Sequence, residues 1–219
     1  MAVRAVILDI DGTLIDSNDA HAQAWVDVGR EAGIPIAFAY VRSLIGMGSD
    51  RVVPQLAGVD RESEEGKRLA DRHGEIFRAE YLPRLRAFQG ARGLLERLKA
   101  EDVVRVVATS AGKTDMKALL ERAGVADLIE GRTSSGDVDE SKPAPDVVEA
   151  ALQEAGVDPA EAVMLGDTPY DVEACRRAGV RCIALRCGGW WTDEQLGGAH
   201  LILDGPAAVL ARWDEIATG

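Results

Sequence analysis

Residues 3–14 read Val3-Arg4-Ala5-Val6-Ile7-Leu8-Asp9-Ile10-Asp11-Gly12-Thr13-Leu14. Residues 3–10 are rich in Val and Ile and apolar almost throughout. That is the pattern of a strand buried on both faces, as in a parallel sheet. Residues 103–108, 162–165, 181–185 and 201–203 repeat it. Between them lie helical faces: Leu94, Leu95 and Leu98; Met116, Leu119, Leu120 and Ala123; Val147, Val148, Ala151, Leu152 and Ala155; Val172, Cys175 and Ala178. Gly124, Gly156 and Gly179 read as stops for the last three. Alternating strands and helices predict an α/β fold, a Rossmann-like parallel sheet with helices on both faces.

Residues 16–82 break this rhythm. They hold no clear buried strand, only amphipathic pieces: Ala20, Ala24, Trp25 and Val28; Val52, Val53 and Leu56; Leu69, Ile76 and Phe77. The charge run 61–72 reads as a solvated helix face. The expected organisation is a core of residues 1–15 and 83–219 with a small helical domain, 16–82, inserted after the first strand. Segments 14–16 and 83–90 would connect the two.

The chain has 219 residues, with Lys+Arg 25 against Asp+Glu 37 and a net charge of −12. Hydrophobic content of 47% and charged content of 28% suit a soluble globular protein. The acidic balance argues against sequence-independent nucleic-acid binding and against docking on an anionic membrane. The first apolar run is too short for a signal peptide or a membrane span, and no later run reaches the length of a span, so the expected location is the cytoplasm. Cys175, Cys182 and Cys187 are an odd set without metal-ligand spacing and read as small buried hydrophobes.

In a doubly wound sheet, ligands sit beyond the carboxyl ends of the strands. The first apolar run is followed by Asp9-Ile10-Asp11-Gly12-Thr13 and the second by Thr109-Ser110. Lys142-Pro143 opens the third helix, and the next strand is followed by Gly166-Asp167-Thr168-Pro169-Tyr170-Asp171. Clustered carboxylates repel one another and lose hydration, which is costly unless a cation joins them. Oxygen-only ligands at a partly open site favour Mg²⁺ shared with phosphate oxygens. Asp9 and Asp11 project to one side if the chain is still extended there. One can act as nucleophile while the other moves protons. Lys142 and the Thr109 hydroxyl would hold non-bridging phosphate oxygens. Gly12 lets the chain turn away from the site.

These residues resemble the four motifs of the haloacid dehalogenase superfamily. Asp9-Ile10-Asp11-Gly12-Thr13-Leu14 is similar to the first, Thr109 to the second, Lys142 to the third, and Gly166-Asp167 with Asp171 to the fourth. The insert falls where that family carries a helical cap. The resemblance implies that Asp9 becomes an aspartyl-phosphate. It implies that Asp11 protonates the leaving alcohol and then activates water. Mg²⁺ would be held by the Asp9 and Asp167 side chains and the Asp11 backbone carbonyl, with Asp171 one step behind. The presence of Asp11 favours phosphate esters over the substrates of the family's dehalogenases. The expected function is Mg²⁺-dependent hydrolysis of a small phosphorylated metabolite, as in phosphoglycolate phosphatases. A phosphosugar mutase of the β-phosphoglucomutase type and a phosphoacceptor signalling module are the alternatives.

In the insert, Ile45-Gly46-Met47-Gly48-Ser49-Asp50-Arg51 is similar to the cap loop of phosphoglycolate-phosphatase-like members. It makes Gly46 and Arg51 candidate substrate contacts, with Arg42 behind Arg51, and Ser110, next to Thr109, is a further residue expected to help bind substrate or phosphate. His21, His73 and His200 fit no triad or metal spacing and read as structural or surface residues. Trp190-Trp191 reads equally as a partner-facing patch or a tucked loop. Monomer and homodimer are both open.

Overall fold

The computed structural model describes residues 2–134, 138 and 140–219. Its elements run in the order β1 (Ala5–Leu8), α1 (Asn18–Ala32), α2 (Phe38–Leu44), α3 (Ser49–Ala57), α4 (Glu64–Ile76), α5 (Ala91–Ala100), β2 (Val104–Ala108), α6 (Lys113–Ala123), β3 (Gly131–Thr133), α7 (Asp146–Ala155), β4 (Ala162–Gly166), α8 (Pro169–Ala178), β5 (Arg181–Leu185), β6 (Leu201–Leu203), α9 (Pro206–Ala211) and α10 (Trp213–Thr218). A π-helical turn, Phe77–Tyr81, extends α4. No helix among the described residues is long and apolar enough to cross a membrane.

The six strands form one sheet in the order β3-β2-β1-β4-β5-β6, and every pairing is parallel. Strand β1 is central, with Ala5 opposite Val104 on one side and Ala162 on the other. Side-chain alternation divides its residues between two cores. Val6 and Leu8 pack on the face that carries α5, α6, α9 and α10. Ala5 and Ile7 pack on the opposite face, with α7 and α8. All four are fully buried. Truncating Ile7 or Leu8 to Ala should cost about 2–5 kcal/mol, so the strand that delivers Asp9 is held rigidly on both sides. The chain moves outward from β1 through β2 to β3, then returns to β4 on the other flank. That reversal creates a crevice beyond the carboxyl ends of β1 and β4.

The five strands read from the apolar runs are all present. Strand β3 was not expected. It is a short edge strand of sequence Gly-Arg-Thr, too polar to make an apolar run, and it forms because Val106, Val107 and Ala108 offer it a paired edge. Between β1 and α5 the chain is helical, with α1 packed on α2 and α4. Its interior includes Trp25, Val28, Val53, Leu69 and Phe77.

Candidate active site

The carboxyl ends of β1 and β4 bring Asp9 and Asp167 together. The Asp9 N–H donates to the Leu165 carbonyl at 2.9 Å, which continues the sheet ladder up to the site. Beyond it, the N–H groups of Thr13 and Leu14 turn back onto the Ile10 carbonyl, and Gly12 takes the left-handed φ of 74° that this turn needs. After β4, Thr168 caps α8. Its hydroxyl accepts from the Asp171 N–H, and the Asp171 carboxylate accepts from the Thr168 N–H at 3.0 Å. This reciprocal cap fixes Asp171 at the first turn.

Lys142 closes the constellation. Its Nζ donates to Asp9 Oδ1 at 2.6 Å and to Asp171 Oδ1 at 2.7 Å, and all three residues are buried. Oxygens of Asp9, Asp167 and Asp171 lie within 4.8 Å of one another. Burial, with repulsion from Asp171 and Asp11, pushes the Asp9 carboxyl up to about 7 against the pull of Lys142. Burial and the charges of Asp171 and Asp9 push Asp167 well above the carboxylate range. The partner carboxylates outweigh burial at Lys142 and hold its ammonium charged. One lysine therefore does not neutralise the cluster. Asp167 Oδ2 accepts from Asn18 Nδ2 at 2.7 Å, while Asp167 Oδ1 is buried without a partner. An orphaned carboxylate oxygen among close carboxylates fits a hard divalent cation such as Mg²⁺.

Asp11 points elsewhere. Its Oδ1 accepts from the Ser17 hydroxyl at 2.5 Å and lies 3.0 Å from His21 Nε2. Burial works against the Asp11 carboxylate, but His21 and Ser17 outweigh it and hold the group below its usual range. The sequence reading of His21 as a structural or surface residue needs correction, because it meets Asp11, whereas His73 packs in a ring stack. His21 and Trp25 sit one turn apart on α1, and His73 and Phe77 one turn apart at the end of α4. The rings interleave, His21 on Phe77 at 3.8 Å and Trp25 on His73 at 4.3 Å between centroids. This stack aims His21 at Asp11. Burial and the neighbouring His21 push His73 down to about 3. His200 is exposed and stands at the opposite edge of the sheet, just before β6.

A cavity of about 520 Å³ opens in front of these groups. Asp9, Asp11, Thr109, Ser110 and Gly46 all line it, as do His21, Trp25 and His73. Thr109 is buried, and its hydroxyl accepts from the Ala111 N–H at 3.1 Å. The Ser110 hydroxyl donates to the Gly46 carbonyl at 3.1 Å and so ties the insert to the core. Gly46 has φ 111°, and a Cβ there would stand 2.8 Å from the Thr168 methyl, so the contact needs glycine.

Arg51 is not among the lining residues. Its Nη2 meets Glu140 at 2.6 Å and its Nε donates to the Ser141 carbonyl. The arginines that do line the cavity are Arg61 and Arg78. Arg61 belongs to the run expected to be solvated. It precedes α4, and its Nε donates to the Ser49 hydroxyl at 3.0 Å. Arg78 is held by Asp115 at 2.5 Å. Of the cysteines, Cys175 and Cys182 are buried as expected. Cys187 is half-buried, and its thiol donates to the Gly12 carbonyl at 3.3 Å.

A doubly wound sheet with two facing carboxylates, a buried lysine and a strand-end hydroxyl at its switch point defines a class of α/β enzyme. The profile of the haloacid dehalogenase-like hydrolases matches residues 6–185, and the chain belongs to that family. It is 30% identical over 193 residues to the phosphoglycolate phosphatase of Rhodospirillum rubrum, covering 84% of this chain and 80% of the relative. It is 27% identical over 185 residues to the validoxylamine A 7′-phosphate phosphatase of Streptomyces hygroscopicus subsp. limoneus, covering 83% and 85%. A solved structure of a hydrolase from Pseudomonas syringae matches with a TM-score of 0.90 and 28% identity, over 99% of this chain and 100% of that one.

Proposed function

We propose that the protein is a Mg²⁺-dependent phosphatase that hydrolyses a small phosphate monoester through an aspartyl-phosphate on Asp9. The observation that carries this reading is the juxtaposition of Asp9, Lys142 and Asp171 beside the partnerless Asp167 oxygen. The Asp9 and Asp167 carboxylates, with the Asp11 carbonyl, would hold the metal, and Asp171 would steady the set through Lys142. Bound there, Mg²⁺ would supply positive charge to the phosphoryl oxygens.

Asp9 attacks phosphorus, forming an acyl phosphate as the ester P–O bond breaks. Asp11, in the protonated form that His21 and Ser17 disfavour in the free site, gives its proton to the departing alkoxide oxygen. It then accepts a proton from the water that attacks the intermediate, releasing phosphate and restoring Asp9. Lys142 and the Thr109 hydroxyl hold the phosphoryl oxygens as charge spreads over them. Residues 16–82 act as a cap domain on a core of 1–15 and 83–219. With the helices of the insert closing the cavity from above, a small phosphorylated metabolite fits and bulk water is excluded. Relatives named for phosphoglycolate and for validoxylamine A 7′-phosphate support a small-molecule substrate.

The test is rapid acid quench during turnover of a ³²P-labelled ester. An acid-stable, hydroxylamine-labile label on wild-type protein that is missing from Asp9→Asn supports the covalent route. Steady release of inorganic phosphate separates a phosphatase from a mutase, which returns a phosphosugar isomer, and from a signalling module, which stops after one phosphoryl group.

A further inference from the structure

Arg42 is buried to 1% exposure, although it comes from α2, whose Phe38, Ala39 and Tyr40 face solvent. A buried guanidinium is retained at a cost unless its partners are well placed. Its Nε donates to Asp19 Oδ1 at 2.6 Å and its Nη2 to the Gly188 carbonyl at 2.5 Å. Its carbon lies 5.4 Å from the centroid of the Trp190 ring. Asp19 belongs to α1, whereas Gly188 and Trp190 lie in the loop after β5. One side chain thus clasps two helices of the insert to a core loop. Nη1 is buried with no hydrogen-bond partner, so holding the guanidinium here carries a desolvation cost.

The loop it holds presses on the metal carboxylate. A Cβ on Gly188 would stand 1.8 Å from Asp167 Oδ2, so the Gly188 backbone forms one wall of the Asp167 position. Asn18, the residue before Asp19, reaches the same oxygen directly at 2.7 Å. The start of α1 therefore meets Asp167 by two routes, one through Asn18 and one through Asp19, Arg42 and Gly188. A carboxylate with one oxygen left for a metal depends on such outer contacts for its orientation.

We propose that Arg42 is a positioning residue that couples docking of the helical insert to the metal site, by holding residues 186–190 against Asp167. This inference rests on the metal reading given above. It assigns Trp190 a role as well, as the aromatic face on which the guanidinium is stacked.

The experiment uses the full chain without substrate. Hydrogen exchange of amides 186–190 is measured in metal-free protein. The MgCl₂ concentration giving half of the maximal rise in Tm is measured separately, for wild type, Arg42→Lys and Arg42→Met. In Arg42→Met the exchange of 186–190 should quicken about tenfold and the Mg²⁺ half-point should rise about tenfold, with Arg42→Lys between. Unchanged exchange overturns the clasp. Faster exchange with an unchanged Mg²⁺ half-point overturns the coupling. A wild-type Tm that ignores Mg²⁺ counts against the metal reading, while the exchange measurement still decides the clasp. If Arg42→Met does not fold, Asp19→Asn replaces it, because that carboxylate is 76% exposed. It should show smaller shifts in the same directions.

Discussion

Lys142 Nζ is 2.6 Å from Asp9 Oδ1 and 2.7 Å from Asp171 Oδ1, so one ammonium joins the end of β1 to the first turn of α8. The pairing holds Asp9 in place while leaving the cluster short of positive charge. Asp9→Asn should lower kcat for p-nitrophenyl phosphate about a thousandfold or more, because an amide cannot form the acyl phosphate. It should not lower Tm in metal-free protein at pH 8, where the native carboxylate is held against burial and two like charges. A tenth of wild-type kcat in Asp9→Asn would remove Asp9 from the nucleophile's role.

Metal removal should stop turnover, and Ca²⁺ should restore it poorly, since Ca²⁺ takes more ligands at longer distances. The pH dependence has a definite sign. The Asp9 carboxyl is raised from 3.8 to about 7 in the folded chain. It therefore contributes stability that is full below the unfolded value and lost as pH rises through about 7. A divalent cation competes with that proton and relieves the loss. The Mg²⁺-induced rise in Tm should accordingly be larger at pH 8 than at pH 5.5, read by thermal unfolding at both values. Activity that survives exhaustive chelation, or a rise that is larger at pH 5.5, would contradict this.

His21 should matter through Asp11. Its Nε2 stands 3.0 Å from Asp11 Oδ1 while its ring stacks on Phe77. His21→Phe keeps an aromatic ring and removes the nitrogen. For a substrate whose slow step is hydrolysis of the acyl phosphate, where Asp11 acts as base, we expect kcat to fall about 10–100-fold with KM nearly constant, and the acidic limb of the kcat profile to move up in pH as Asp11 loses the partner that holds it ionised. If His21→Phe is fully active and His21→Ala is not, the ring serves the stack and the nitrogen does nothing for Asp11.

The placement of three candidate groups was legible because each directly follows an apolar run: Asp9 after β1, Thr109 after β2, Asp167 after β4. Strand ends are set by local pattern, so the ends of the ladder announce their cargo. The cap-side residues were not legible in the same way. His21, Trp25, His73 and Phe77 show an i, i+4 spacing on both helices, a signal that was present, but their meeting depends on how α1 packs against α4. Arg42 reads as one more surface arginine until the loop after β5 is seen beneath it. Arg61 lies in a charge run whose other members are mostly solvated, and only the path of the chain into α4 turns it inward. Strand β3 carries no apolar run because an edge strand of three residues needs little core of its own.

Two arginines of the insert compete as contacts for the substrate's leaving group, Arg51 and Arg61. Arg51 follows the glycine-containing loop and was the expected contact, but its guanidinium is engaged by Glu140 and the Ser141 carbonyl. Arg61 lines the cavity, its Nε donates to the Ser49 hydroxyl, and its Nη1 lies 3.8 Å from the Glu62 carboxylate. In the proposed mechanism a metal ion with Lys142 would serve the phosphoryl end only, so an anionic or hydroxyl-rich leaving group would need a donor from the insert. Arg61→Ala should raise KM about tenfold for the best substrate of a panel of phosphorylated metabolites, with a smaller loss in kcat. It should leave p-nitrophenyl phosphate nearly unaffected, because that leaving group gives the guanidinium little to bind. Arg51→Ala should change KM for neither substrate by more than about twofold, as expected for an exposed ion pair. Equal losses on both substrates in Arg61→Ala would mean that the residue supports the loop before α4. A KM effect confined to Arg51→Ala would return the contact to the loop at Gly46.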